Sequence, residues 1–266
     1  MPACEPVDQE LLRDLLEGDP LWRRVDAVAS TGSTNKDLSD AARAGEGAGR
    51  LLVSEEQTAG RGRFERRWAS PAGSCVAMSA LLEPTRPGPD WGWLSLLAGM
   101  AVATGIERAT GAQPGRVQLK WPNDVLVDGG KICGILSERV ESPEAGKAMA
   151  VVGIGVNISL SADELPVPTA TSLALAGLST DKTRIVAEIW REFAPLFRDW
   201  EAAGELHDSY TARCDSIGAP LRVLVDEHTS VLGVGDHVDE FGRLVVRTDE
   251  GLRTFSAGDV FHLRKQ

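Results

Sequence analysis

A short segment rich in arginine and glycine, from Gly60 to Trp68, is the part of the sequence best suited to bind an anion. It holds four arginines and one glutamate, a local charge of +3 in a chain whose formal net charge is −11. Gly60 and Gly62 leave backbone N–H groups accessible, and a guanidinium matches carboxylate or phosphate oxygens with two parallel hydrogen bonds. The segment therefore predicts a loop that grips phosphate or carboxylate. Taken alone, a solvated basic loop explains it equally well, and a nucleic-acid contact is a third interpretation.

A second segment, Lys120-Trp121-Pro122-Asn123-Asp124, places a cation between two apolar runs that predict strands. A lysine at a strand end beside a proline-fixed turn is suited to meet an anion in a cleft. Asn123 and Asp124 offer the oxygen ligands that magnesium prefers, and magnesium accompanies the phosphates of ATP. When the segment is taken alone, an exposed lysine next to an ordinary Pro-Asn-Asp turn is the simpler interpretation.

Familiar nucleotide and nucleophile motifs are absent from the sequence. Gly153-Ile154-Gly155 lacks the third glycine and the helix of a dinucleotide fingerprint, and no Gly-x-x-x-x-Gly-Lys-Ser/Thr phosphate loop occurs. The four histidines all lie in the C-terminal third, away from the arginine-rich segment, so a Ser–His or Cys–His nucleophile is not expected. We therefore expect chemistry that rests on charge stabilisation and positioning.

Length and composition predict a soluble globular protein with one large domain, or with a large domain and a small appendage. The chain has 266 residues, of which 42% are hydrophobic and 25% charged, and its pI is near 4.9. This acidity argues against a surface that holds duplex DNA or anionic lipid. We see no secretory signal, no membrane span, and neither a zinc site nor a disulfide framework among four scattered cysteines. A cytoplasmic location without membrane contact is the expectation.

The elements that must position these residues alternate between strands and helices over most of the chain. Predicted helices are Gln9 to Glu17, a segment capped by Ser33 or Thr34 that ends near Ala44, Trp91 to Arg108, and Thr183 to Ala203, kinked or broken at Pro195. Predicted strands are Val25 to Ala29, Leu51 to Ser54, Ser74 to Leu82, Val117 to Lys120, Val125 to Val127, Lys131 to Val140 and Ala148 to Ile158. The arginine-rich segment has no apolar periodicity and is therefore predicted to be a loop.

Near Ser216 the pattern changes to short strands that are separated by turn residues. These strands are Leu221 to Val225, Val231 to Val238, Arg243 to Arg247, Leu252 to Phe255 and Val260 to Leu263. Such a series predicts a small β-barrel attached to an α+β body. We accordingly predict a catalytic domain over residues 1–215 and a C-terminal domain over residues 216–266.

Five motifs, taken in their order along the chain, resemble those of the biotin–protein ligases. They are Ser33-Thr34-Asn35, Gln57-Thr58-Ala59-Gly60-Arg61-Gly62-Arg63, Lys120-Trp121-Pro122-Asn123-Asp124, Lys131-Ile132-Cys133-Gly134-Ile135-Leu136 and Gly153-Ile154-Gly155-Val156-Asn157. The ending Ser256-Ala257-Gly258-Asp259-Val260 is similar too. The resemblance covers nearly the whole chain from Val25. It implies an α+β catalytic domain related to the class II synthetases, with a mixed β-sheet and flanking helices, followed by a small SH3-like β-barrel.

The resemblance also implies a two-step reaction. The carboxylate of biotin attacks the α-phosphate of MgATP and gives biotinyl-5′-AMP and pyrophosphate. A lysine amine on the biotin carboxyl carrier protein or domain of an acyl-CoA carboxylase then attacks the mixed anhydride. ATP, Mg²⁺ and biotin are substrates in this scheme, and no tightly bound prosthetic group is expected.

Roles for individual positions follow from the same resemblance. The biotin-binding positions are Ser33, Thr34, Asn35, Gln57, Arg61, Gly62, Arg63, Lys120 and Gly134, the first four of which would hydrogen-bond the ureido head. The nucleotide-binding positions are Arg61, Arg63, Arg66, Trp68, Lys120, Asn123 and Asn157, and Asp124 would hold magnesium. Arg63 and Lys120 are the predicted catalytic residues, because cations offset the repulsion between a carboxylate and a phosphate. Residues 131–136 would line an apolar tunnel for the tail of biotin.

Three departures accompany the resemblance. Glu65 stands where the family usually has the last glycine of Gly-Arg-Gly-Arg-x-Gly-Arg, which stiffens the loop and dilutes its charge. Cys133 stands where a small apolar residue such as alanine is usual. No aromatic that stacks on adenine is identified, and Thr171-Ser172-Leu173 is assigned to that region.

Three rival functions were weighed against biotin ligase. A biotin-sensing repressor needs an N-terminal helix-turn-helix, and only one plausible helix precedes the first predicted strand. A lipoate ligase or octanoyltransferase has a related fold, but the complete Lys-Trp-Pro-Asn-Asp motif favours biotin. Retention of Arg63 and Lys120 argues against a non-catalytic ligand-binding protein. We therefore predict a monofunctional biotin ligase that contacts no nucleic acid and is a monomer or a weak dimer.

Overall fold

Two β-sheets and five α-helices make up the described part of the chain, residues 5–142, 147–225 and 228–263 of a computed structural model. Cys4 and the side chain of Glu65, both singled out in the sequence, lie outside the described part. The helices are α1 (Gln9–Leu16), α2 (Thr34–Arg43), α3 (Trp93–Thr110), α4 (Lys182–Ala203) and α5 (His207–Thr211). Short 3₁₀ turns cover Arg63–Glu65 and Gly88–Gly92. Helix α5 is the one α-helix of this set that the sequence did not predict.

A seven-stranded mixed sheet forms the body of the molecule. Its strands are β1 (Arg24–Val28), β2 (Arg50–Ser54), β3 (Cys75–Leu82), β4 (Val117–Lys120), β5 (Asp124–Val127), β6 (Gly130–Glu141) and β7 (Ala148–Asn157). They lie in the order β1-β2-β3-β7-β6-β5-β4, with β1 and β2 parallel and the other neighbours antiparallel. Each strand matches a predicted one within two residues, so the predicted mixed sheet with flanking helices is confirmed.

The two faces of this sheet are covered differently. Helix α3 is buried along most of its length and packs with α4 over one face, where it joins the main hydrophobic core. Helix α2 covers part of the other face through Leu38 and Ala42, in a smaller apolar cluster. Because side chains alternate along a strand, Gly134, Gly153 and Gly155 fall on the face that carries α2. A stretch of sheet without side chains therefore lies beside the first turn of α2.

Helix α4 continues through Pro195, so the predicted break does not occur. Proline removes one backbone hydrogen bond and crowds the preceding turn, which often ends a helix. Here a row of buried aromatic side chains packs on both sides of the proline and compensates for the lost bond. The members of that row are Trp190, Phe193, Phe197 and Trp200. Packing has outweighed local propensity.

A five-stranded antiparallel sheet follows, as the short predicted strands indicated. Its strands are β8 (Pro220–Leu224), β9 (Ser230–Val238), β10 (Leu244–Thr248), β11 (Gly251–Phe255) and β12 (Asp259–His262), in the order β11-β10-β9-β8-β12. Backbone bonds also join Leu119 of β4 to Arg213 and Asp215, just ahead of this unit. The exact division between residues 215 and 216 stays a prediction.

Two buried tryptophans fix the small sheet against the body. Trp93 Nε1 donates to Glu240 O at 2.9 Å, and Trp121 Nε1 donates to Gly242 O at 3.0 Å. Trp121 belongs to the Lys-Trp-Pro-Asn-Asp turn, so that turn is held from both units. Cys75, Cys133 and Cys214 are buried free thiols. Among the described residues, no helix combines the length and apolar character needed to cross a bilayer.

Candidate active site

The four residues predicted to hold the biotin head form one hydrogen-bonded cluster at the start of α2. Ser33 is the N-cap and Thr34 and Asn35 form the first turn, and all three are buried. Gln57 Oε1 accepts from Thr34 N at 2.9 Å and from Thr34 Oγ1 at 3.2 Å. Its oxygen is thus used within the protein, and the amide N–H groups of Gln57 are left for a ligand acceptor. A buried helix start supplies the fixed geometry that a small polar ligand needs.

Asn35 is held more tightly than its predicted ligand role requires. Its Nδ2 donates to Leu136 O at 3.1 Å and to Glu138 Oε2 at 2.7 Å. Ser79 Oγ lies 2.7 Å from Asn35 Oδ1 and 2.7 Å from Thr34 Oγ1. Both N–H groups of Asn35 are therefore occupied, and only Oδ1 keeps a lone pair for a ligand. Sequence reasoning missed Ser79, although a buried serine in the apolar run of β3 was a usable signal.

Close packing on the sheet explains why glycines occur in the Gly153-Ile154-Gly155 motif. A Cβ atom on Gly153 would lie 1.9 Å from Asn35 Oδ1, and one on Gly155 would lie 2.9 Å from the indole of Trp68. A Cβ atom on Gly134 would approach the same indole to 3.0 Å. Glycine is required at these positions because side chains from α2 and from the arginine-rich loop rest directly on the sheet.

The segment from Gly60 to Trp68 is a loop, as predicted, that folds back on itself as a hairpin. Gly62 N donates to Arg66 O at 2.6 Å, and Trp68 N donates to Gly60 O at 2.9 Å. A Cβ atom on Gly60 would lie 2.4 Å from Trp68 O, so the two arms touch only because this residue is glycine. At the tip Phe64 has a φ of 54° and is 59% exposed. The arginines of this hairpin therefore project from two closely paired arms, which meet at Gly60 and Trp68.

Three arginines of this loop are anchored on three different parts of the molecule. Arg61 Nη2 lies 3.0 Å from Glu138 Oε2 on β6. Arg63 Nη1 donates to Asn123 Oδ1 at 3.0 Å and to Gly258 O at 3.4 Å, and Arg66 pairs with Asp259. Burial lowers the pKa of Arg63, and the Asp259 carboxylate raises the pKa of Arg66. Both guanidinium groups remain cationic at neutral pH, so the loop joins the two units through charge.

Two lysines share one carboxylate beside this loop. Asp124 Oδ2 lies 3.5 Å from Lys120 Nζ, and Asp124 Oδ1 lies 2.5 Å from Lys131 Nζ. A Cβ atom on Gly134 would lie 3.6 Å from Lys131 Cε and Nζ, so this ammonium lies close to Gly134 on the same face of the sheet. Sequence reasoning gave Lys131 only a place in the tunnel lining. The turn at residues 128–130 is recognisable in the sequence as a hairpin, but the register that pairs Lys131 with Leu126, near Asp124, comes from the structure.

The carboxylate of Asp124 has both of its oxygens directed at these ammonium groups. Magnesium would reach the site together with ATP, held mainly by phosphate oxygens and water. Within the described ranges no group of three or more His, Cys, Asp or Glu side chains is arranged to hold a metal ion. The magnesium contact of Asp124 stays a prediction, while its contact with the lysines is a feature of the structure.

Two asparagines predicted to serve the nucleotide hold the protein's own groups. Asn123 accepts from Arg63 and donates through Nδ2 to Ile135 O at 2.9 Å. Asn157 is buried, accepts from Cys75 Sγ at 3.4 Å and donates to Thr171 O at 2.9 Å. Asn157 therefore fixes the segment at residues 171–173 next to the end of β7. Their direct contact with ATP remains a prediction.

The departure at Cys133 belongs to the core rather than to the site. Its side chain is fully buried in the main hydrophobic cluster, on the α3 side of the sheet. Burial raises the pKa of this thiol far above its ordinary value, so it stays neutral. Cys133 fills space there as a small apolar residue would.

Comparison with known proteins places both units in one family. Residues 28–157 match the Biotin/lipoate A/B protein ligase family, and residues 218–263 match the Biotin protein ligase C terminal domain. The chain is 41% identical to the Biotin--[acetyl-CoA-carboxylase] ligase of Mycobacterium tuberculosis, with 97% of each protein covered. It is 34% identical to the Bifunctional ligase/repressor BirA of Bacillus subtilis, over 86% of this chain and 70% of that protein.

A solved structure shares the fold described above. It is the Biotin protein ligase from Aquifex aeolicus in complex with biotin and ATP, which superposes with a TM-score of 0.75 at 23% identity. The match covers 92% of this chain and 100% of that one. Both units are therefore part of the shared architecture.

Proposed function

Because this chain belongs to the biotin protein ligase family, we infer that the cluster at the start of α2 and the cations around Asp124 form a single adenylating site. The enzyme is an ATP-dependent ligase that activates biotin and transfers it to a carboxylase. One observation supports the site assignment. Asn35, Trp68 and Lys131 all contact glycines on the same face of the large sheet.

We propose that the buried cluster recognises the ureido head of biotin. That group offers two N–H donors and one carbonyl acceptor. The N–H groups of Gln57 match the carbonyl, whereas the free lone pair of Asn35 Oδ1 and the hydroxyl of Ser33 match the N–H donors. An analogue without these groups would leave buried polar atoms unpaired, which is a strong basis for selectivity.

The carboxyl end of biotin would then lie next to Lys131. In the first step a carboxylate oxygen forms a bond to the α-phosphorus of ATP, and the bond from that phosphorus to the pyrophosphate oxygen breaks. Both reacting groups are anions, so Lys120, Lys131 and Arg63 lower the barrier by offsetting their repulsion. Asp124 holds both ammonium groups in position until the substrate oxygens replace it as their partner.

In the second step a neutral lysine amine attacks the carbonyl carbon of biotinyl-5′-AMP, the bond from that carbon to the phosphate oxygen breaks so that AMP leaves, and the amine nitrogen loses one proton to solvent. The same cations stabilise the negative charge that develops on the phosphate side. We propose Trp68 as the aromatic surface for the nucleotide, because its indole contacts Gly155 and Gly134, the second of which also lies close to Lys131. Thr171 to Leu173 would border that nucleotide, since Thr171 N donates to Lys131 O at 2.9 Å.

The setting of the enzyme follows from these assignments as further proposals. We propose that the acceptor is a biotin carboxyl carrier protein or domain, an inference supported by the acetyl-CoA-carboxylase ligases among its relatives. Magnesium would enter with ATP. The net charge of −11 supports an enzyme that does not bind nucleic acid. A cytoplasmic monomer or weak dimer is the expected form.

The proposed function is tested by incubating the protein with MgATP, biotin and a purified biotin carrier domain. We expect the mass of the carrier to rise by one biotinyl group, on one lysine, in intact-mass spectrometry. Reactions without ATP, and with a carrier whose acceptor lysine is arginine, provide the controls. Lipoate and octanoate are tested in parallel. Product from either of these acids, with none from biotin, would overturn the assignment.

A further inference from the structure

Glu138 joins the buried head cluster to the arginine-rich loop through a single oxygen. Its Oε2 accepts from Asn35 Nδ2 at 2.7 Å and lies 3.0 Å from Arg61 Nη2. The side chain is 26% exposed and leaves β6 on the same face as Gly134. Glu138 is outside every motif that the sequence singled out, so its place in the site comes from the structure alone.

The Asn35 side of this junction is rigid. Ser79 and the Leu136 carbonyl fix the amide, and the missing side chain of Gly153 leaves just enough room for it. These contacts restrain Asn35, and Asn35 in turn restrains Glu138 through the bond from Nδ2 to Oε2.

The Arg61 side of the junction is much less constrained by its surroundings. The Arg61 side chain is 47% exposed. The backbone hydrogen bonds of the hairpin fix only the main chain at this position. Of the ion pairs in the described part of the chain, Arg61 takes part only in the one with Glu138. The placement of the guanidinium over the site thus depends on this carboxylate.

We propose that Glu138 is a positioning residue for the adenylation reaction. It sets Arg61 at a fixed distance from Asn35, so that the pocket for the biotin head also determines where the first loop cation stands. This inference rests on the proposed function. A carboxylate is needed because its negative charge pairs with the Arg61 guanidinium while the same group accepts a hydrogen bond from the Asn35 amide.

Glu138→Gln separates the two contacts of this side chain. The glutamine oxygen can still accept from Asn35, but the charge that holds Arg61 is gone. We expect the dissociation rate of biotinyl-5′-AMP to rise about three- to tenfold, as for loss of a partly exposed charged contact. The KM for biotin should change less than about twofold, because the head contacts persist. Glu138→Ala should raise both quantities.

The matched control is Glu141→Gln on the same strand. It removes an ion pair of the same kind, Arg139–Glu141 at 2.8 Å, from the opposite sheet face. We expect its kinetics to equal those of the wild type. Thermal unfolding of each variant, followed by circular dichroism, reports any loss of stability.

A double-variant cycle decides between positioning and a merely structural role. If Glu138 acts through Arg61, Glu138→Gln should leave adenylate dissociation unchanged in an Arg61→Gln background. An equal acceleration in both backgrounds would overturn the proposal. So would a lower unfolding midpoint with unchanged dissociation kinetics. If the wild type forms no adenylate from biotin and MgATP, it is the proposed function that fails, which pyrophosphate release by the wild type reveals separately.

Discussion

The head cluster and the arginine-rich loop are built in opposite ways, although they meet on one sheet face. Ser33, Thr34 and Asn35 are each at most 6% exposed, and Thr34 and Asn35 are bonded to neighbouring elements. In the loop, the side chains of Arg61 and Arg66 are 47% and 63% exposed. Their partners come from two different sheets. One region is fixed before any ligand arrives, and the other is held by replaceable charges.

This difference fits the ligand that each region is proposed to recognise. A neutral ureido group is distinguished only by the direction of its hydrogen bonds, so its partners must be fixed and desolvated. Phosphate and carboxylate are recognised by charge, which tolerates looser geometry and acts over a longer range. In the proposed reaction the loop must also admit ATP and then a protein-borne lysine. Rigidity would therefore serve selectivity, and exchangeable ion pairs would serve catalysis.

The proposed role of the cations is tested by Lys131→Ala and Lys120→Ala, which should have the largest effects. We expect each to slow pyrophosphate release by about a hundred- to a thousandfold, the usual cost of losing one group that stabilises developing charge. Lys131→Ala should have the larger effect because its ammonium lies over Gly134. Lys147→Ala, at an exposed lysine paired with Glu83, is the control. A lysine whose loss leaves the rate near normal has no part in the mechanism.

The rigid side is tested by Gly153→Ala. The new methyl group would overlap with Asn35 Oδ1, which cannot move without breaking its bond to Ser79. We expect the KM for biotin to rise about ten- to a hundredfold, with a loss of about 1–3 kcal/mol in the free energy of unfolding. Gly47→Ala, where a Cβ atom meets nothing within 4 Å, should change neither quantity. A normal KM in Gly153→Ala would show that the cluster is adjustable.

Arg63→Ala sharpens the contrast by removing a loop cation that lies near both units. Biotinyl-5′-AMP should dissociate about ten times faster, since a charge-assisted contact to the product is lost. The KM for biotin should change much less, because Asn35 and Gln57 are untouched. Arg184→Ala, at an exposed arginine in the first turn of α4, is the control. An unchanged rate of adenylate dissociation would count against a gripping role for the loop.

The smallest expected effect concerns His262, which lies where the small sheet approaches Lys120. Burial, and then the charge of Lys120, lowers the pKa of His262, and its ring lies 3.0 Å from Ser216 Oγ. As pH falls through about 6.5 the unfolded chain gains a proton that the folded one does not, so stability is lost toward acid. His262→Gln should make this loss shallower in pH-dependent thermal unfolding. If the wild type and His262→Gln lose stability with pH at the same slope, His262 is not the cause of that loss.

Much of the architecture was predictable because it depends on near neighbours in the chain. Apolar periodicity predicted the strands of both sheets and four of the five described α-helices, and Ser33, the cap of α2, is one of the two residues predicted for that position. The exceptions have a physical reason. Helix α5 is only five residues long, too short for periodicity, and the break predicted at Pro195 was overridden by aromatic packing.

The amino-acid sequence by itself determined most of the secondary structure and, through the order of its motifs, the family to which the chain belongs. Only the tertiary structure decided how the site residues are paired. Asn35 meets Glu138 across 103 positions of chain, and Arg61 meets it across 77. The antiparallel register of β6 also brings Lys131 to Asp124. Propensity reflects neighbours along the chain, whereas these contacts depend on which strands pair and which face each side chain takes.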